Sequence, residues 1–262
     1  MKKLLAIFCY TVLTITVLYL AGCKKLLDYI RQHPEGTAIV PCAINDFEYA
    51  GPNQVFVDTV RFSYDRLGNP VSAVRQHVAT GSPNVLFRYD YLDRLNNLIC
   101  HYGSDISGGV EGWIKYFYGS GDRVLWDSVY SFPIIVNGQP TLGESTGAWV
   151  DTYEYDAKGR IIKTTKKASG HAPVYNNYAY DANGDRVTGY TYDDSVNFHR
   201  TNKIWQFLDR DYSLNNPLTG NIQYSSVGLP QAMDLSIPSM RFMEVVLSAY
   251  VYSGNNIHYT CH

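Results

Sequence analysis

An aromatic pair spaced by two residues and followed at once by a turn recurs along this chain, and it leaves few folds open. Phe62 and Tyr64 precede Asp65, Gly68, Asn69 and Val71; Phe87 and Tyr89 precede Asp90, Asp93, Arg94 and Leu95. Tyr116 and Tyr118 precede Gly119, Gly121, Asp122, Arg123 and Val124. Tyr153 and Tyr155 precede Asp156, Gly159, Arg160 and Ile161, and Tyr178 and Tyr180 precede Asp181, Gly184, Asp185, Arg186 and Val187. The second aromatic recurs at steps of 25, 29, 37 and 25 residues, room for two strands and two turns per copy. Residues two apart on a strand point to one face, so each pair lays two rings side by side. Asp then accepts from nearby amides, Gly supplies the positive φ of the turn, and the aliphatic residue opens a return strand. Each copy is therefore a β-hairpin plus its link to the next.

These residues resemble the YD repeat of the Rhs family, in which Tyr-Asp is followed by two variable residues, Gly, and then Asn or Arg. Residues 153–161 and 178–187 carry the resemblance best. It covers residues 55–195 strongly and 200–258 faintly, through Trp205 and Phe207 before Asp209, Ile222 and Tyr224 before Gly228, and Tyr250 and Tyr252 before Gly254. Large members of that family wind their repeats into a closed β-shell around a toxin segment, and this chain has too few repeats to enclose a cargo. It looks more like the small YD-repeat lipoproteins of Bacteroidota. The expected fold is all-β: an antiparallel meander of about 14–18 strands, as an open sheet, half-barrel or solenoid.

The N-terminus addresses location. Lys2 and Lys3 are followed by an uncharged run from Leu4 to Leu20 and then by Leu20-Ala21-Gly22-Cys23. A basic start, an apolar core and small residues before a cut are the parts of an export signal. The last four residues resemble a lipobox, which implies diacylglycerol on Cys23 and cleavage before it. A retained transmembrane helix is the alternative, although the run falls short of a span of ~20 residues. The reading divides the chain into a signal peptide (1–22), a lipidated tether (23–41) and a β domain (42–262). Acyl chains hold the membrane at about 0.8 kcal/mol per buried methylene, so the folded domain needs no membrane-binding surface of its own. The expected location is the cell envelope, on the outer membrane, with its facing left open.

Processing changes the charge count from 22 basic against 24 acidic residues to 20 against 24, because Lys2 and Lys3 leave with the signal. A mildly acidic product argues against nucleic-acid binding, which needs a basic surface. Of five cysteines, Cys9 leaves with the signal and Cys23 takes the lipid; Cys42, Cys100 and Cys261 remain in a compartment that permits disulfides. A bridge between Cys42 and Cys261 is the favoured pairing, since it ties the first strand to the last. Three buried thiols acting as small hydrophobes are the alternative.

Catalytic and metal patterns are sparse. Asp181, Asn183 and Asp185 alternate as in a calcium loop, but Gly184 is fourth and Tyr192 twelfth, against the EF-hand requirement; turn chemistry is the better account. His258 and His262 flank Cys261, which is too few ligands for zinc without a second cluster. No Gly-x-Ser-x-Gly elbow and no phosphate loop occur. Asp193 and Asp194 read as solvated, and Lys163, Lys166 and Lys167 as charges blunting a sheet edge. The expectation is a non-enzymatic binding or scaffold module, without a cofactor, whose partner beyond the membrane is a glycan or an envelope protein. Tyr153, Tyr155, Tyr178 and Tyr180 are its candidate aromatic face, unless those rings are core. Two alternatives stay open: a glycan-acting enzyme with its carboxylates in loops, and a subunit of an envelope protein complex.

Overall fold

The computed structural model describes residues 42–50, 57–78, 83–119, 122–143, 147–218, 222–233 and 255–261. Cys23, the candidate lipidation site, and the pair Tyr250 and Tyr252 lie outside them. The described residues form one antiparallel sheet of thirteen strands, two small two-stranded sheets and one short α-helix. The meander begins with β1 (Cys42–Ala50), β2 (Val57–Tyr64), β3 (Pro70–Arg75), β4 (Asn84–Tyr89) and β5 (Leu95–His101). It continues through β6 (Val110–Tyr118) and β7 (Val124–Ser131), steps over the hairpin β8 (Ile134–Val136) and β9 (Gln139–Thr141), and resumes with β10 (Gly147–Tyr155), β11 (Ile161–Ala168) and β12 (Val174–Asn177). After β13 (Tyr192–Val196), helix α1 (Lys203–Asp209) and β14 (Asn215–Pro217), the chain adds β15 (Gln223–Tyr224), β16 (Pro230–Met233) and β17 (Asn255–Cys261). The last strand, β17, pairs with β1, so the order runs from β12 down to β1 and on through β17 and β16 to β15. The sheet is open, with β12 and β15 as its edges. Cys42 lies directly opposite Cys261, and the two form a disulfide.

The turns show why the sequence repeats. The Asp65 carboxylate accepts from the amides of Leu67 at 2.8 Å and Asn69 at 2.9 Å, and Gly68 takes φ +80°. Asp156 repeats this with Lys158 and Arg160, both at 2.9 Å, and Gly159 at φ +87°. Asp90 accepts from Leu92 and Arg94, and Asp181 from Asn183 and Asp185. Where Asp replaces the turn glycine, at Asp93 and Asp122, the backbone still adopts φ +57° and +56°, a strained choice outside Gly, Asn and Asp. The faint copy at Tyr224 is a true one, since the Ser225 hydroxyl accepts from Leu229 and Gly228 takes φ +78°. A register shift precedes the turn at Tyr64, Tyr89, Tyr118, Tyr155 and Tyr224.

The two aromatics of a copy have different tasks. The second donates its hydroxyl back to the residue that opens the previous return strand: Tyr89 to Pro70 O, Tyr118 to Leu95 O and Tyr155 to Val124 O, each at 2.8 Å; Tyr259 on β17, outside the copies, makes the same kind of bond to Pro230 O at 2.7 Å. The turn arginine of one copy lies over the second tyrosine of the next, as in Arg94 over Tyr118 at 4.7 Å and Arg160 over Tyr180 at 4.1 Å. Such cation–π contacts contribute about 0.5–2 kcal/mol each. Adjacent hairpins are thus clamped in sequence order.

The first aromatic of each copy builds the core. Phe62 and Phe87 meet Trp205 edge-on at 5.5 and 5.8 Å, and Tyr116 and Tyr153 meet Phe207 at 5.4 and 5.5 Å. Trp205 and Phe207 belong to α1, not to the strand that their spacing of two suggests. Asn202 explains the difference: its carboxamide oxygen caps the helix by accepting from Ile204 N at 2.9 Å. Its amide also donates to Gly68 O at 2.8 Å, fixing the helix to the first turn. A 3-10 turn at Phe198–Thr201 leads into α1. Buried His199 braces it, hydrogen-bonded to Asp209 at 2.7 Å and to Asn197 at 2.8 Å.

Candidate functional site

Of the four tyrosines expected to form a binding face, one is buried and three are half-buried. Tyr153 is 7 % exposed, lies under Phe207 and donates its hydroxyl to Asp127, so it is core. Tyr155 and Tyr180 are half-buried with hydroxyls bonded to Val124 O and Arg210 O, and half-buried Tyr178 lies under Arg186 at 4.7 Å. The other sequence candidates fall as follows. Asp181 is a turn acceptor, while Asp185 receives Asn215 N at 2.8 Å. Asp193 is not merely solvated: it accepts from Ser195, Asn216 and the Tyr224 hydroxyl, joining β13 to β14 and β15. Lys163 and Lys166 lie on β11, one strand inside the edge, where Lys163 pairs with Glu154 at 2.6 Å. Cys261 is held in the disulfide and is no metal ligand. His258 faces Asp46, and His262 lies outside the described residues.

Two clusters that the motif search missed carry more chemistry. The first lies on the inward face. Asp127 on β7 stands opposite Tyr116 on one side and Asp151 of β10 on the other, and Asp151 in turn stands opposite Lys166. Asp127 is 2 % exposed and accepts from Tyr153; Arg210, at the C-terminal cap of α1 with φ +53°, donates to the same tyrosine oxygen at 3.4 Å. Burial, together with the neighbouring Asp151, pushes the Asp127 carboxyl up to about 7, against the hydrogen bond from Tyr153 and the charge of Arg210. Burial also raises Asp151, offset by Arg210 and Lys166. A buried carboxyl that titrates near neutrality can hold or release a proton, which is general acid–base chemistry. Only strand register reveals the pair, because 24 residues separate the two acids in sequence.

The second cluster is apolar and faces outward. Hairpin β8–β9 turns through Asn137 and Gly138, both at positive φ, as a two-residue Asn-Gly turn requires. Ile135 packs against the cluster of Ile99, Ile106 and Val110, and Arg88 of β4 donates to Gln139 at 2.6 Å. The hairpin is therefore fastened to the sheet. Its remaining large side chains face water: Phe132 is 59 %, Ile134 50 %, Val136 45 % and Leu142 56 % exposed. Single exposed apolar residues are ordinary, but grouped ones mark interaction surfaces.

Together these features define a class: an open, all-antiparallel meander of clamped aromatic hairpins with one sheet face packed on a short helix. No family model matches the chain, and no curated protein does. Among solved structures, the crystal structure of TcdB2-TccC3-Cdc42 is 12 % identical with a TM-score of 0.30, covering 66 % of this chain and 9 % of that one. TcdB2-TccC3-TEV gives 12 %, 0.29, 66 % and 9 %. A mutant Tc holotoxin pore of Photorhabdus luminescens gives 13 %, 0.23, 66 % and 10 %. The chain spans about a tenth of the length of these structures.

Proposed function

We propose that this chain is a lipid-anchored, non-enzymatic binding or scaffold module of the bacterial cell envelope, of YD-repeat type, which engages a protein partner through hairpin β8–β9. The observation that carries this reading is the set of four exposed apolar side chains, Ile134 and Val136 on a hairpin fastened to the sheet and Phe132 and Leu142 at its base. A glycan partner is less favoured, because the tyrosines best suited to stack on sugars are packed or clamped. Cys23 supplies the membrane attachment. The test is native electrophoresis of detergent-solubilised membranes bearing the full chain or its Ile134→Ser, Val136→Ser, Leu142→Ser variant. A discrete complex that the triple variant loses, with its circular dichroism unchanged, supports the proposal; a monomer in both refutes partner binding. Cys23→Ala is expected to release the chain from the membrane fraction.

The Asp127–Asp151 pair favours a second reading, a glycan-acting enzyme. Its acids lie on strands rather than in loops, and Asp127 is closed over by Tyr153. Release of reducing ends from envelope glycans by the parent, abolished in Asp127→Asn, would replace the scaffold reading with this one.

A further inference from the structure

We propose that Asp46, Glu48 and His258 form a divalent-cation site across the β1–β17 seam, taking a borderline transition ion of the Zn2+ class. Phe47 and Ile257, paired in register, are both fully buried, so their neighbours Asp46, Glu48 and His258 project from the opposite, outward face. Asp46 stands directly opposite His258, and Glu48 follows two residues along the same face. One ligand atom from each of the three lies within 4.8 Å of the others. Two atoms each ~2.1 Å from one ion are at most ~4.2 Å apart. At the tetrahedral angle that spacing is about 3.4 Å, so the widest pair closes by up to about 1.4 Å and the Asp46–His258 contact of 2.5 Å opens by about 0.9 Å, shifts that side-chain rotation on the outward face can supply.

The donor set is mixed, an imidazole with two carboxylates, which suits zinc and its neighbours rather than calcium or magnesium. It also carries surplus charge. His258 approaches Asp46 at 2.5 Å and can neutralise one carboxylate, and Glu48 accepts a long contact from Asn256 Nδ2 at 3.5 Å. Arg61 stands opposite Asp46 on β2, a neighbouring positive charge that opposes cation binding. The seam is already closed by the Cys42–Cys261 disulfide, so register and ligand spacing are set before any ion arrives. The ion adds a second tie between strands about 210 residues apart in sequence.

The experiment uses the full chain in detergent micelles, stripped with chelator and titrated with ZnCl2 by calorimetry. One equivalent is expected, with His258→Ala and Glu48→Gln each weakening it at least tenfold and His171→Ala leaving it unchanged. With free zinc a hundredfold above the dissociation constant, the melting midpoint is expected to rise by about 5–10 °C. MgCl2 at the same concentration should leave it unmoved. Absence of stoichiometric binding, or equal binding by a folded His258→Ala variant, overturns the proposal. So does loss of binding in His262→Ala with retention in Glu48→Gln, which would move the site to the chain end.

Discussion

Removing the carboxylate of Asp127 should flatten the pH dependence of stability above pH 4. The folded carboxyl, buried and beside Asp151, is pushed up to about 7 from its ordinary 3.8. A raised acid holds its proton in the folded state across an interval where the unfolded chain has released it. Stability therefore falls as pH rises through that interval, by ~1.4 kcal/mol per unit while the difference is one full proton. Over some three units this amounts to about 4 kcal/mol, present in full below pH 4 and lost above pH 7. Asp127→Asn keeps an oxygen for the Tyr153 hydroxyl and has no charge to bury. Urea midpoints of both proteins from pH 4.5 to 8.5 are the assay, read as their difference so that Asp151 and the histidines largely cancel. The variant should gain on the parent up to about pH 7, level off above it, and exceed the parent at pH 8. Parallel curves would refute the placement of a titrating carboxyl in this core.

Three further outcomes test the frame. Trp205→Ala removes a fully buried ring that meets both Phe62 and Phe87, and should cost about 3–5 kcal/mol in denaturant unfolding, with the near-ultraviolet dichroism reduced. Asp156→Ala removes two backbone acceptances and the Arg160 contact at 2.8 Å, for a loss of about 1–2 kcal/mol. Burial works to raise that carboxyl, but these bonds hold it below its ordinary range, so its contribution is present above pH 4 and lost as pH falls further, the opposite sense to Asp127. Replacing Cys42 and Cys261 together by serine should cost about 2–5 kcal/mol, measured against the oxidised parent, since the bridge spans 219 residues.

The meander was legible because each copy states its own local chemistry. Tyr-Asp-x-x-Gly-Arg names a strand end, an acceptor, a left-handed residue and a cation, and the acceptor and the left-handed residue act within the turn itself, while the tyrosine hydroxyl and the arginine reach to the neighbouring copies. Helix α1 was not legible from the same spacing: Trp205 and Phe207 sit two apart in a helix as readily as in a strand, and only the Asn202 cap separates the cases. The burial of Tyr153 was not legible for a related reason. Periodicity says that two rings share a face but not what covers it, and the cover comes from a segment 50 residues downstream of Tyr153. Asp127 with Asp151, and Asp46 with His258, are products of register between strands. No spacing rule within one segment could bring either pair together.

The fifth copy shows what limits the repeat. Tyr178 and Tyr180 are followed by a complete turn, with Asp181 accepting and Gly184 at φ +88°, yet this turn closes only an isolated bridge between Tyr180 and Arg186 and adds no pair of strands to the sheet. By the rule of the other copies, the Tyr180 hydroxyl should meet the carbonyl that opens the previous return strand, at Ile161. It donates instead to Arg210 O, directly after α1, at 3.4 Å. Arg160 still lies over the Tyr180 ring, so half of the clamp is kept and half is redirected. The redirected half ties the segment carrying Trp205 and Phe207 to the fifth copy, while Asn202 ties its other end to the first turn at Gly68. A repeat that continued in step would extend the edge beyond β12 and leave the inward aromatics of β2, β4, β6 and β10 without a cover. Breaking step at the fifth copy thus supplies the missing half of the core, which lets a sheet with two open edges bury one face without closing into a barrel.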